Sequence, residues 1–361
     1  MYRIRGTILP EAGIRDVFVV DGRFTFEPVE GARTLLTDCI MLPGLVDAHA
    51  HLSLASPAGD EAAEYDRVRA SARAHLDIGV LALREPGSPG YGSFGLGPAD
   101  GLPRTITAGR FLAPPNSYFP GLAREVDAAD LPEAAMRELA ISGAWVKIIG
   151  DSPLAEPMRR TYDDDSLAET ARRVHAAGGR LAIHCVLPET VEAAVSAGFD
   201  SIEHGSFLRT DQVERVAEAG TAWVPTRAID PAIRQLVRDL GYSSQGVRRI
   251  EEQLDQQAET LRAAVDAGVT IIAGTDAGMV PHGLVGREVE LLIAAGLPVT
   301  VAIGAASWTA RSWLGLPGIE EGASADLVAY TVDPRESPAA LVRPDVVLLD
   351  GKLVRFGGSG R

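Results

Sequence analysis

Two histidines two residues apart, His49 and His51, stand in the run LVDAHAHL at 45–52. In an extended strand, residues i and i+2 face the same way about 7 Å apart. Two imidazoles on one face can share a metal ion, with Zn–N bonds of about 2.0–2.1 Å. The competing reading is a histidine pair satisfied by local hydrogen bonds. Lys147 lies in the apolar run WVKII of a chain whose 34 basic residues include 32 arginines. A guanidinium cannot replace a nucleophilic amine, although such a lysine can also snorkel or pair with a carboxylate. His184 in RLAIHCV and His204 in SIEHG fit either ligands or satisfied core histidines. Asp276 in TIIAGTD fits either a ligand or a turn cap.

A common frame for these residues can be read from the pattern around them. Short apolar runs recur at 45–52, 80–84, 104–108, 145–150, 180–186, 201–205, 222–226 and 270–276, with amphipathic segments between most of them. Tyr65, Val68, Ala72 and Leu76 form a stripe at helical spacing. Segments 166–178, 189–198, 211–220 and 248–268 each end at glycine, the usual residue just past a helix end. Eight strands joined mostly by helices predict an α/β fold, a (β/α)8 TIM barrel. An open doubly wound sheet would carry a glycine-rich fingerprint after its first strand, which is absent. Further helices are expected at 284–295 and 299–314. The two ends, 1–44 and 318–356, are strand-rich, with Asp21-Gly22 and Asp350-Gly351 as two-residue hairpin turns. Neither end can bury a core alone, so the two are expected to join as a small β-sandwich domain beside a barrel over 45–317, with 357–361 a tail. In a barrel of this kind, catalytic groups sit at the C-terminal strand ends. His49, His51, Lys147, His184, His204 and Asp276 all fall there.

These residues, in this order and on these strands, resemble the amidohydrolase superfamily, in particular its binuclear imidazolonepropionase-like and prolidase-like members. The stretches LPGLVDAHAHL, GTDAGMVPHG, GIEEGASADLVAY and VLLDGKLV extend the resemblance over nearly the whole chain. It implies a metal-dependent amidohydrolase with two divalent ions, zinc first among them, and carbon dioxide held as a carbamate on Lys147. His49, His51 and Asp276 would complete one ion, and His184 and His204 the other. Two cations against a carbamate, an aspartate and a bridging hydroxide leave a net charge of about +1 to polarise a carbonyl. The hydroxide would attack that carbonyl and cleave a C–N bond in a dipeptide, an N-acyl amino acid or a cyclic amide. Asp276 would carry the proton to the leaving nitrogen. One alternative is a mononuclear deaminase, which commonly adds a glutamate three residues after the strand-five histidine, where this chain has Leu187. Others are a lactone or phosphotriester hydrolase, and a non-enzymatic binding protein on the same scaffold.

Substrate cues are few. The loop GRFLAPPNSYFPGLAR has the composition of an active-site lid, and Tyr118 in it could hydrogen-bond near the scissile group. Many prolidase-like relatives carry Gly-Gly-His in this region; Gly109-Arg110-Phe111 stands here instead. Arg227, just after the seventh strand, could hold a substrate carboxylate in bidentate fashion. His282 fits substrate contact and surface equally. His75 and His175 are expected in the last turns of helices, where an imidazolium suits the helix dipole. Cys185 should point away from His184 as a small buried hydrophobe.

Composition narrows the partners. A net charge of −15 and 46% hydrophobic residues suit a large globular enzyme with a small-molecule substrate. They argue against nucleic acid or an anionic membrane as partner, and are compatible with a homo-oligomer. No run of 18 or more apolar residues appears, and the start lacks a signal peptide's apolar stretch. Cys39 and Cys185 lie far apart in sequence, so a reducing cytoplasm is the expected compartment.

Overall fold

The computed structural model describes residues 1–54 and 61–357; the expected tail, apart from Gly357, lies outside them. The chain is α/β, and its central strands pair in parallel in chain order. Leu45–Asp47 pairs with Val80–Glu85, and that strand with Arg104–Thr107. Gly109, at φ 75, turns the chain, and it resumes as Phe111–Ala113 beside Trp145–Ile149. Arg180–Cys185, Ser201–His204 and Ala222–Val224 follow, each paired with the one before. The expected eighth strand forms no regular ladder. Ile272 N donates to Trp223 O and Ala48 N to Ala273 O, both at 2.9 Å, and Ala50 forms a parallel bridge with Ala277. The stretch 270–277 thus links the seventh strand back to the first.

These strands are Val-, Ile- and Leu-rich because both faces are covered. Val146, Ile148, Leu181, Ile183 and Ile202 pack outward against helices in one large core cluster. The helices begin and end where the residues dictate. Asp163 caps Asp164–Ala176 by accepting from Ser166 N at 2.7 Å, and Gly198 closes Pro188–Ala197 in the left-handed conformation, at no Cβ cost. Two helices are absent from the sequence expectation, Leu131–Ser142 and Asp230–Asp239. Both carry an apolar stripe, and the second matters for the site. Among the described residues no helix is long and apolar enough to cross a membrane.

The two ends of the chain do combine. Tyr2–Ile8, Ile14–Val20, Arg23–Thr25 and Arg33–Pro43 join Leu327–Tyr330, Val346–Leu349 and Lys352–Phe356 in one seven-stranded sheet. Asp21-Gly22 and Asp350-Gly351 all have positive φ, as a two-residue hairpin turn requires. Ile4, Val17, Phe24, Met41, Leu327 and Val346 form a separate core under this sheet. The sandwich expectation is modified in one respect: these strands make one hydrogen-bonded sheet. The cause is the 11-residue strand Arg33–Pro43, which pairs in parallel with Tyr2–Ile8 and antiparallel with Leu327–Tyr330.

Candidate active site

His49 and His51 leave the first strand with their Nε2 atoms 3.2 Å apart. Asp276 Oδ1 lies 3.5 Å from the former and 3.1 Å from the latter. The backbone enforces this approach: Asp276 N donates to His49 O at 2.7 Å, and Asp276 adopts φ 54. Each ring is oriented through its other nitrogen. His49 Nδ1 faces Glu203 Oε2 at 2.6 Å, and His51 Nδ1 faces Gly87 O at 2.7 Å. With both Nδ1 atoms donating, two Nε2 lone pairs and a carboxylate oxygen converge on one point. Burial pushes the His49 imidazolium down to about 4. Burial opposes ionisation of Asp276 too, but the imidazoles of His49, His51 and His204 override it and hold its carboxyl well below the usual range. A neutral His49 and an ionised Asp276 are the forms a cation needs, and the ligand atoms of His49, His51 and Asp276 lie within 4.8 Å of one another.

Beside it lie Lys147, His184 and His204. Lys147 Nζ is buried and has no hydrogen-bond partner among the described residues. Burial pushes its ammonium down to about 8, partly countered by the Glu203 charge and reinforced by Arg84. Burying an unpaired ammonium is costly, so the amine is poised either to be neutral or to gain an anionic substituent. The His184 and His204 rings are 4.7 Å apart, and His204 is 5.0 Å from His49. His204, at φ 69, directs Nδ1 to Thr226 Oγ1 at 2.8 Å. His184 Nε2 is 3.5 Å from Asp151 Oδ1, whose other oxygen accepts from Val186 N and Leu187 N. Burial lowers both imidazoles, reinforced at His184 by His204 and Lys147 and at His204 by His49 and Lys147. Orphaned amine, converging lone pairs and ionised carboxylate form a donor set that fits divalent cations.

Behind these residues lies a support that sequence reasoning missed. Glu203 is fully buried and accepts from Arg84 Nη2 at 2.7 and 2.8 Å and from Ser201 Oγ at 2.6 Å, besides facing His49. Arg84 also donates to Ala48 O and lies over the Trp145 and Trp313 rings at 4.8 and 5.0 Å. Burial opposes a charge on Glu203, yet Arg84 holds its carboxyl well below the usual range. The pair is neutral as a unit, so it orients His49 without adding net charge. Asp47 was also missed, although it precedes His49 by the same two-residue step that separates His49 from His51. Its carboxylate accepts from His49 N at 3.2 Å, Thr275 N at 3.0 Å and Thr275 Oγ1 at 2.6 Å, tying the first strand to 270–277.

The remaining expectations divide. Tyr118 lines the pocket over the site, its ring 6.0 Å from His184, and burial pushes its phenol well up. Arg227 does not line that pocket. Its Nε donates to Asp230 Oδ2 at 3.1 Å and its backbone N to Glu288 Oε1 at 3.0 Å, so its guanidinium already has a carboxylate three residues away. Nor does His282, whose Nδ1 lies 3.2 Å from His75 Nε2. His75 departs from expectation: it ends its helix, but complete burial pushes it down to about 3, too low for an imidazolium to serve the helix dipole. His175 meets Asp200 at 3.0 Å. Cys185 is fully buried, its thiol raised well above the ordinary value by burial and by Asp151, as a small hydrophobe would be.

Comparison with known proteins agrees with this geometry. Residues 40–354 match the model of the amidohydrolase family. An uncharacterised protein of Mycobacterium tuberculosis is 37% identical over 353 residues, spanning 97% of this chain and 94% of that one. The ochratoxinase of Aspergillus niger is 29% identical over 179 residues, 47% of this chain and 37% of that one. Its crystal structure superposes with a TM-score of 0.82 at 19% identity, covering 99% and 96% of the two chains. A Xaa-Pro dipeptidase structure with bound methionine gives a TM-score of 0.84 at 23% identity, covering 98% and 99%. At those identities the structural likeness speaks for the fold alone. With the family model spanning all the strands that carry these residues and the C-terminal strands of the terminal sheet, the chain belongs to the amidohydrolase family and is a hydrolase.

Proposed function

We propose that the protein is a binuclear metal-dependent hydrolase of amide bonds. His49, His51 and Asp276 would hold one divalent cation, His184 and His204 a second, and a carbamate on Lys147 would bridge them, with zinc the first candidate. The parallel pairings support reading the central strands as a closed (β/α)8 barrel over 45–317, with the sheet of 1–44 and 318–356 as a second domain. The observation that carries the reading is Lys147 Nζ, buried without a hydrogen-bond partner among the described residues, beside buried histidines and an aspartate. A solvated surface lysine would need no explanation; this one does.

Cations bound here would supply a Lewis acid and a water acidified to near neutral pH. Asp276, ionised and at hydrogen-bond range of the converging imidazoles, takes the water proton and passes it to the leaving nitrogen. The Tyr118 hydroxyl, for which no hydrogen-bond partner is found among the described residues, donates to the carbonyl oxygen as negative charge develops there. The amidohydrolase family match supports an amide as the bond cleaved. Metal analysis of the purified protein tests the reading. Two equivalents per chain are expected, falling to one or none in Lys147→Ala. One equivalent, unchanged by that substitution, would refute the binuclear site.

A further inference from the structure

The pocket over the site is almost entirely apolar. Its roof is the helix Asp230–Asp239 and the first turns of Ser244–Asp266. Ile233, Leu236, Val237 and Leu240 fall at i, i+3, i+4 and i+7 on one face of the first helix, and Ile250 and Leu254 come from the second. The opposite face of the roof helix is fastened down by Arg234 to Asp255 at 2.6 Å and by Arg238 to Glu251. Apolar side chains continue to the rim, where Leu240 and Met279 are more than a third exposed. The charged groups lining this pocket are those of the candidate metal set itself, Lys147 and Asp276. Among the described residues no arginine lines it.

Arg84 is paired with Glu203 behind the imidazoles, and the guanidiniums beside the pocket are turned to other clefts. Arg110 lines a cleft that shares only Tyr118 and Phe119 with the pocket. Arg249 lines a groove on the other side of Met158, Phe207, Tyr242 and Ile250. Arg227, the residue best placed in sequence to meet a carboxylate, is held by Asp230. A substrate carboxylate under the roof, away from the candidate metal set, would lose its water and find no cationic side chain among the described residues. Uncharged aryl or alkyl groups would instead gain from burial.

We propose that the substrates are neutral amides whose flanking groups are bulky and apolar, and that amides bearing a free carboxylate next to the scissile nitrogen, dipeptides included, are poor ones. This rests on the hydrolase reading for where the scissile bond sits. A matched pair tests it: N-benzoyl-2-phenylethylamine and N-benzoylphenylalanine differ only in the carboxylate. With the metal-loaded full-length enzyme, hydrolysis is followed by chromatography and binding by calorimetry. The neutral amide is expected to be favoured at least on the order of 100-fold, the low end of the cost of stranding one buried charge. Ile233→Arg and, separately, Leu240→Arg place a cation in the roof, outside the metal set. Each is expected to narrow the ratio at least tenfold. Equal or better handling of the carboxylate compound by the unaltered enzyme, or no binding of the neutral amide, overturns the proposal. Tight binding of the neutral amide without hydrolysis upholds the pocket's specificity and overturns the amide-hydrolase reading instead.

Discussion

Arg84→Met tests the support beneath the site most directly. In the unaltered protein the Glu203 carboxylate is buried with three partners, Arg84, Ser201 and His49. Methionine fills much of the space between Trp145 and Trp313 but removes the guanidinium that pairs with that carboxylate. Leaving one member of a buried pair uncompensated costs about 3–5 kcal/mol. Two lost cation–π contacts add roughly 0.5–1 kcal/mol each. The Ser201 and His49 bonds remain and keep the penalty at the lower end. A loss of about 4 kcal/mol is therefore expected in chelator-treated protein. In Arg84→Met/Glu203→Gln no buried charge is stranded, and the residual cost is that of lost hydrogen bonds, about 1 kcal/mol each. The double variant should accordingly be more stable than the sum of the single changes by at least about 2 kcal/mol. Urea unfolding followed by tryptophan fluorescence measures all four proteins, and Trp145 at the pair makes the signal local as well as global. A cost under about 1 kcal/mol for Arg84→Met, or strict additivity in the cycle, would refute the account of Arg84 as the counter-charge of Glu203.

Other perturbations probe different parts of the same structure. Tyr118→Phe should lower kcat on the order of 100-fold with little change in KM, the cost of removing one donor to a developing oxyanion; a change confined to KM would assign Tyr118 to binding instead. Gly87→Ala places a Cβ 2.7 Å from the Phe111 ring and 3.1 Å from Lys147 Cγ at φ 102, so a loss of at least about 2 kcal/mol together with reduced metal content is expected; normal metal content would show that the loop carrying the His51 partner can shift. Burial raises Glu288 to about 8 from an ordinary 4.5 although it accepts from Arg227 N and Ala228 N. Its folded form therefore keeps a proton that the unfolded chain releases, and it contributes stability at low pH that is lost as pH rises from 4.5 through 8. Glu288→Gln should flatten the fall of Tm across that window, and an unchanged slope would contradict the assignment.

The ligand-type residues were legible because histidine, lysine and aspartate at apolar strand ends have few other reasons to be there. Their supports were not, and the reason is conformational. In a regular strand Glu203 and His204 would face opposite ways, so a reader of alternation assigns only one of them to the interior. His204 adopts φ 69, which breaks the alternation and lets both side chains reach His49. Asp276, at φ 54, likewise leaves 270–277 without a regular ladder. Arg227 misled for the opposite reason: its position after a strand is visible in sequence, but the turn that brings Asp230 back to it is not. The roof helix was readable from Ile233, Leu236, Val237 and Leu240 at helical spacing, and it went unread because Asp230-Pro231 resembles a loop start as much as a helix start.

These departures from regular geometry have a common energetic logic. A left-handed φ at a residue other than glycine costs on the order of 1 kcal/mol or more, and His204, Thr226 and Asp276 all have one. Each sits where a side chain must turn from the strand line toward the site. The cost is offset locally: Asp276 N donates to His49 O at 2.7 Å, Gly205 N to Cys185 O at 2.9 Å, and Thr226 Oγ1 meets His204. Glycine would relieve the strain at any of the three and would remove the functional oxygen or nitrogen with it. Stability and site geometry thus pull these positions in opposite directions. Behind the imidazoles the neutral pair of Arg84 and Glu203 fixes the His49 ring, because converging lone pairs keep their geometry only where their supports are themselves fixed.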